Sequence, residues 1–334
     1  MKKYNIIDGH QDIAFNSIHM TNKDFLTKSM FSESKLSDNP KLNQSDYIRL
    51  INSDVKIVFG VTFPYKTQGE SVYTDQNFAK EETQKQLDFY NFLDKRSEGR
   101  IKVIKSKIDL EFVLKTDNVL GLVMLLEDAM GVDVELSNLE QLYKQGIRVV
   151  GVTWNTDNQF GGGTDSDHGI TEAGVKLLRK MDTLGMILDT AHMNKTLFYD
   201  ALQIFKGPII NSHTCTFTLN PHRRNLEDGQ LKVIAGRGGV VGIAFVPEFL
   251  NKSLMEASLQ DVVAHIQHAV SVCGIDHVGF GSDFDGMSWP EYVLNLKDTS
   301  EYGNLISELE KIYSEEEITK IAFSNWKNFL LKSI

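Results

Sequence analysis

Histidines and acids stand where apolar, β-branched runs of the chain end, and their types suit a divalent metal ion. His10 and Asp12 follow the run at 4–7 and are two positions apart, so on an extended chain both point to the same side. A histidine and a carboxylate converging at a strand end is a metal-ligand arrangement, although this spacing also recurs in solvated loops. Glu127 comes directly after the run 119–126; the competing reading, a helix N-cap, suits its neighbour Asp128 better. His192 enters the loop after 186–188, with Asp189 placed either to orient a ligand or to make the turn. His213 takes a similar position after 208–210, and two successive runs each ending in histidine are hard to ascribe to chance. Asp283 follows 278–280 and the small residues Gly281 and Ser282, whereas Asp285-Gly286 reads as a turn. Imidazole and carboxylate without thiolate suit zinc or a similar ion at a catalytic site. The ligands suffice for two ions if Glu127 bridges them. Such ions, about 3.5–4 Å apart, bind a bridging hydroxide and polarise a carbonyl. The chemistry is hydrolysis of an amide or ester.

Positioning these groups requires a scaffold, and the runs themselves suggest it. They lie at 4–7, 55–63, 101–104, 119–126, 147–153, 186–188, 208–210, 240–245 and 278–280, mostly near-continuous, as in parallel strands buried on both faces. Amphipathic helical patterns alternate with them: 76–96, 171–184 with Thr171 as N-cap and Gly185 after its end, and 259–273 before Gly274. Residues 305–313 and 316–331 read as purely helical. Eight or nine strands without a Gly-x-Gly-x-x-Gly turn predict an α/β protein, a closed (β/α)8 TIM-type barrel with C-terminal helices. Active groups of such barrels sit at the C-terminal strand ends. No linker divides the 334 residues, so one barrel domain over 1–334 is expected. The polar residues 23–46 are expected as a long loop or lid, and the glycines of 160–164 as a mobile substrate loop rather than a phosphate loop.

The balance of 35 basic against 45 acidic residues, a net charge of −10, argues against nucleic acid as a partner. Two cysteines cannot form a disulfide framework and fit a reducing compartment. The N-terminus does not read as a signal peptide, and the run 119–126 is far short of the roughly 20 residues a membrane helix needs. A soluble, cytoplasmic protein without membrane contact is the expectation.

The segments DGHQDIAFN, LLEDAMG, GITEAGVKLLRKMDTLGMILDTAH, SHTCTFTLNPHRRNLED and HVGFGSDFDG, in that order between residues 8 and 286, resemble the renal, or membrane, dipeptidase family of zinc peptidases. The resemblance implies an amidohydrolase-type barrel with two Zn2+ per chain. His10, Asp12 and Glu127 would hold one, Glu127, His192 and His213 the other, with Glu127 bridging. Asp283 would be the acid/base and Arg224 would bind the substrate's terminal carboxylate. It also implies dipeptide substrates, often with a C-terminal D-residue, and a homodimer. A guanidinium fork suits a carboxylate.

The chain departs from the family at one place. Many members have Leu-Thr-His after the fifth run, where this chain has Val152-Thr153-Trp154, followed by Asn155. An indole donates one hydrogen bond but accepts no proton, and losing an oxyanion donor can cost about 10²–10³ in rate. Either Trp154 replaces that donor, or Asn155 or Asn158 does, or the substrate is another small amide. His222, two residues before Arg224, is a further candidate for the same pocket. A metal-binding barrel without catalysis remains the reading from a different class.

Overall fold

All nine apolar runs form parallel strands. The computed structural model describes residues 3–21, 23–28, 31–32, 41–65, 75–251, 257–287 and 292–334. In chain order the strands are β1 (Ile6–Gln11), β2 (Phe31–Ser32), β3 (Lys41–Leu42), β4 (Val55–Thr62), β5 (Ile101–Val103), β6 (Leu120–Leu126), β7 (Ile147–Gly151), β8 (Ile187–Asp189), β9 (Ile209–Thr214), β10 (Val241–Ile243) and β11 (Val278–Phe280). The large sheet runs β4-β1-β11-β10-β9-β8-β7-β6-β5 and closes by pairing β4 with β6. Eight strands therefore form the barrel. The ninth, β5, pairs only with the first residues of β6, Ile101 opposite Leu120 and Val103 opposite Leu122, and lies outside it.

Alternation sorts the strand residues between two apolar clusters. Ile57, Phe59, Val61, Val123 and Leu125 share one with Ile7, Val149, Ile187 and Ile210, the barrel interior. Val58, Leu120, Leu122, Met124 and Leu126 pack instead with the outer helices, among them Leu87 and Tyr90 of Gln76–Arg96. Glu127 N donates to Thr62 O at 3.0 Å, extending the β4–β6 ladder by one residue. Glu127 is thus the next inward position after Val123 and Leu125, where the apolar interior gives way to the mouth. The last helix, Asn325–Ser333, contributes side chains to the interior cluster: Trp326 is fully buried and its indole N–H donates to Phe280 O at 3.0 Å.

The helix expected at 171–184 spans Glu172–Leu184, with the Thr171 side chain accepting from Gly174 N and Gly185 left-handed at φ +68°. The segment expected as a long loop or lid is irregular over most of its described residues, but it is packed down rather than open. Where described, it holds the antiparallel pair β2–β3, and Lys23 and Asn43 to Asp46 are buried; residues 29–30 and 33–40 lie outside the described residues. The glycines at 161–163 also differ from a mobile loop. They are buried, and a Cβ on Gly162 or Gly163 would lie 2.2 Å from a backbone carbonyl oxygen. No helix among the described residues is long and apolar enough to cross a membrane.

Candidate active site

Five strand ends, those of β1, β6, β8, β9 and β11, bring three imidazoles and three carboxylates together at the barrel mouth. Glu127 Oε1 lies 2.7 Å from His192 Nε2, 3.6 Å from His213 Nε2 and 3.6 Å from His10 Nε2. His10 Nε2 in turn is 3.5 Å from Asp12 Oδ2 and 3.9 Å from Asp283 Oδ1. His192 and His213 approach each other at 3.0 Å through their Nε2 atoms. Every one of these six residues is buried or nearly so.

The other ring nitrogens are held from behind. Ser212 Oγ lies 3.1 Å from His10 Nδ1 and 2.9 Å from His213 Nδ1. Asn155 Oδ1 lies 2.8 Å from His192 Nδ1 and also accepts from Thr164 Oγ1. With Nδ1–H donating to those oxygens, the Nε2 lone pairs turn toward the carboxylates, the tautomer a metal ligand needs. Asp189, which sequence left between two roles, accepts from Ala191 N and Ser212 N, so it fixes the strand segment carrying Ser212 and His213.

Backbone geometry is unusual at the same strand ends. Asp128, His192, Asp283 and Asp285 all have positive φ, between 62 and 72°. Non-glycine residues held there carry a local cost that clusters at functional sites. The Asp283 loop is laced to β1, with Asp283 N donating to His10 O at 3.1 Å and Asp12 N to Phe284 O at 3.0 Å. Gly286 packs against the same carboxylates: a Cβ there would crowd those of Asp283 and Asp12 and force them to shift.

The electrostatics favour a bound cation. Burial pushes Glu127 well above the ordinary carboxylate range and, with help from Asp12, lifts Asp283 to about 7. Burial disfavours a charged His10, but Glu127, Asp12 and Asp283 outweigh it and raise that imidazole to about 10. Burial, together with the positive charge of Arg224 and His10, holds His192 and His213 well below the usual imidazole value, hence neutral. Three buried carboxylates face few protein cations, and each uncompensated buried ion is costly. His10 Nε2 is fully buried without a hydrogen-bond partner. The donor sets His10–Glu127–His213 and His10–Asp12–Asp283 each converge within 4.8 Å. Nitrogen and oxygen donors so arranged fit a divalent metal, and loading it would displace the His10 proton.

A cavity of about 350 Å³ opens over this centre, lined by Asp12, Glu127, His192, His213 and Asp283 and by Trp154, Asn155, His222 and Arg224. Arg224 is buried. It donates through Nη2 to His213 Nε2 at 2.7 Å, and its Nε has no partner. His222 stacks on Phe249 at 5.1 Å, and its Nδ1 accepts from Arg224 N at 3.3 Å. Asn158 lies apart from the cavity lining; its amide donates to Asp128 Oδ1 and Val152 O, each at 2.6 Å.

Asp128, expected only as a cap, does cap the short helix Ala129–Gly131 and more. It accepts from Tyr65 Oη at 2.6 Å and from Trp154 N at 3.0 Å. Sequence reasoning passed over Asp8, whose carboxylate accepts from Gln11, Ser282 and Tyr302 and ties β1 to the Asp283 loop. Asp285, read from sequence as a turn residue, is also buried and pairs with Lys23. For Asp8 a signal was present, an acid inside an apolar strand.

The membrane dipeptidase family, peptidase family M19, matches residues 1–331. A Klebsiella pneumoniae protein from the pqqA 5′ region, itself uncharacterized, is 34% identical over 257 residues, covering 73% of this chain and 93% of that one. An uncharacterized dipeptidase of Schizosaccharomyces pombe is 28% identical over 319 residues, 92% of this chain and 75% of its own length. Among solved structures, a metallopeptidase from Rhodobacter sphaeroides, liganded with a phosphinate mimic of the dipeptide L-Ala-D-Ala, superposes with a TM-score of 0.89 over 100% of both chains at 22% identity. The barrel, the cluster of nitrogen and oxygen donors at its mouth and the match over nearly the whole sequence lead to one conclusion: the chain belongs to the membrane dipeptidase family, peptidase family M19.

Proposed function

We propose that the protein hydrolyses the peptide bond of dipeptides at two zinc ions, held by His10, Asp12 and Glu127 on one side and Glu127, His192 and His213 on the other. The observation that carries this reading is the position of Glu127 Oε1, which alone among the carboxylates approaches all three imidazoles, with the Nε2 atoms of His10, His192 and His213 at 3.6, 2.7 and 3.6 Å. When bound, such ions activate a water and polarise the scissile carbonyl.

The remaining steps belong to the chain's own groups. Asp283 takes a proton from the attacking water and delivers it to the leaving amine nitrogen. Arg224 turns its guanidinium to the substrate's terminal carboxylate and so fixes which end of the dipeptide faces β9. Ser212 and Asn155 keep the three imidazoles in register behind the reacting atoms.

Elemental analysis of the purified protein is expected to find about two zinc per chain. Ala-Ala dipeptides of L,L or L,D stereochemistry are hydrolysed, and chelation abolishes the activity until zinc is restored. A protein without bound metal, or one loaded with zinc that turns over no dipeptide, overturns the reading. Trp154 in the cavity wall supports one alternative, another small amide, and N-acyl amino acids in the same panel test it.

Arg224→Ala is expected to raise KM with little change in kcat. A hydrogen bond to a charged group contributes about 1.5–3 kcal/mol, so KM for free-carboxylate dipeptides rises roughly 10- to 100-fold. C-terminally amidated dipeptides should show no such rise; an equal loss on both series contradicts the assignment.

A further inference from the structure

The cavity has two unlike walls, and the barrel topology sets them opposite each other. Around the closed barrel β4 is four strands from β9 in either direction. Arg224 lies in the loop after β9, with Phe249 under its guanidinium at 5.3 Å. Phe63 follows β4 directly, and with Phe15, Trp154 and Met287 it makes an apolar face of the same cavity. Phe63 meets Phe15 edge-on at 5.2 Å and Trp154 at 5.3 Å, and stacks on Tyr65 at 4.7 Å.

This wall is built rather than incidental. Gln86 clamps the Phe63 backbone: its Oε1 accepts from Phe63 N at 2.8 Å, and its Nε2 donates to Phe63 O at 2.7 Å. Asp128 Oδ2 accepts from both Tyr65 Oη and Trp154 N, pinning the two segments that carry Phe63's ring partners to one carboxylate. A surface held in place before binding loses little freedom when it is covered. No catalytic step above uses these rings.

A dipeptide whose carboxylate rests on Arg224 must cross the centre at Glu127, and its N-terminal residue then reaches the β4 side. Resting on the dipeptidase reading above, we propose that the Phe15–Phe63–Trp154 wall selects dipeptides whose N-terminal residue carries a bulky apolar or aromatic side chain. Covering a large apolar side chain favours binding by roughly 10- to 100-fold over glycine. The preference is directional. It applies to the first residue; the second lies on the Arg224 side, where His222, Glu248 and Phe249 line the cavity and the Phe15–Phe63–Trp154 rings are out of its reach.

The test compares kcat/KM of the zinc-loaded protein for Phe-Ala, Leu-Ala, Gly-Ala and Ala-Phe. Wild type is expected to favour Phe-Ala over Gly-Ala by about tenfold or more, chiefly through KM. Phe63→Ala should lower kcat/KM for Phe-Ala about tenfold more than for Gly-Ala, and Phe63→Leu should recover part of that difference. Equal wild-type efficiency on Phe-Ala and Gly-Ala, or a Phe63→Ala loss shared equally by both, overturns the proposal. Wild-type selectivity alone decides the matter if the alanine variant fails to fold. If none of the four is cleaved, the dipeptidase reading falls, and calorimetric titration with the same dipeptides judges the wall separately. Binding of Phe-Ala at least tenfold tighter than Gly-Ala upholds it; equal binding sinks it.

Discussion

Asp283→Asn is expected to reduce kcat by about 10²–10⁴-fold, the range for removing a positioned acid/base, while zinc content and thermal stability stay near those of wild type. Asparagine keeps the size of the side chain and tolerates a left-handed backbone, so the φ of +64° at this position should persist. The backbone bonds that lace the loop to β1 do not involve the side chain. What the change removes is the capacity to take up a proton and release it. The geometry also makes the experiment discriminating. Asp283 Oδ1 is 3.9 Å from His10 Nε2 and forms a converging donor set with His10 and Asp12. A ligand in that set would lose metal on mutation, since an amide oxygen is a poorer donor than a carboxylate. Metal analysis beside steady-state kinetics therefore separates the roles. Lost activity with two ions retained supports proton transfer, and lost activity with lost metal makes Asp283 a ligand.

The donor cluster was legible because each member ends an apolar run, and a strand end in a barrel is a position as well as a residue type. His10, Asp12, Glu127, His192, His213 and Asp283 converge for that reason, although 273 residues separate the first from the last. The barrel was legible from the same runs, but the place of β5 in it was not. Its residues have the composition of a barrel strand, and only pairing with the start of β6 puts it outside. Asn158 illustrates a second limit. An amide near the site in sequence serves equally well to bind a ligand or to satisfy a loop, and here Asp128 takes it. Charged residues set the third limit. Sequence reads an acid or a lysine as solvated by default, so Asp128 and Asp285 became a cap and a turn. Their burial depends on partners far along the chain, which no local pattern encodes.

Lys23→Met should cost about 3–5 kcal/mol of stability, as expected when one partner of a buried ion pair is removed. Lys23 Nζ bonds to the Asp285 carboxylate and to Ser45 O, and the pair is almost wholly shielded from water. Burial depresses the Lys23 amine despite the attraction of Asp285. Asp285 also accepts from Gln44 N and Ser45 Oγ, both at 2.8 Å. Methionine matches the aliphatic length of lysine, so the loss measures charge rather than a cavity. Asp285, still buried and left without its cation, carries most of the cost. Because a domain holds only about 5–15 kcal/mol in total, denaturant unfolding of the zinc-loaded protein should register the change plainly. A loss below about 1 kcal/mol would mean that the hydrogen bonds from Gln44 and Ser45 suffice for the carboxylate. The double variant Lys23→Met/Asp285→Asn should recover part of the loss, since it leaves no unpaired charge. The same pair bears on catalysis through distance along the chain. Asp285 lies two residues beyond Asp283 in a left-handed turn, so the ion pair anchors the loop that presents the proposed acid/base to the barrel mouth. The double variant is thus expected to fold while losing more kcat than KM, because it frees the position of Asp283 without touching Arg224 or the ring wall.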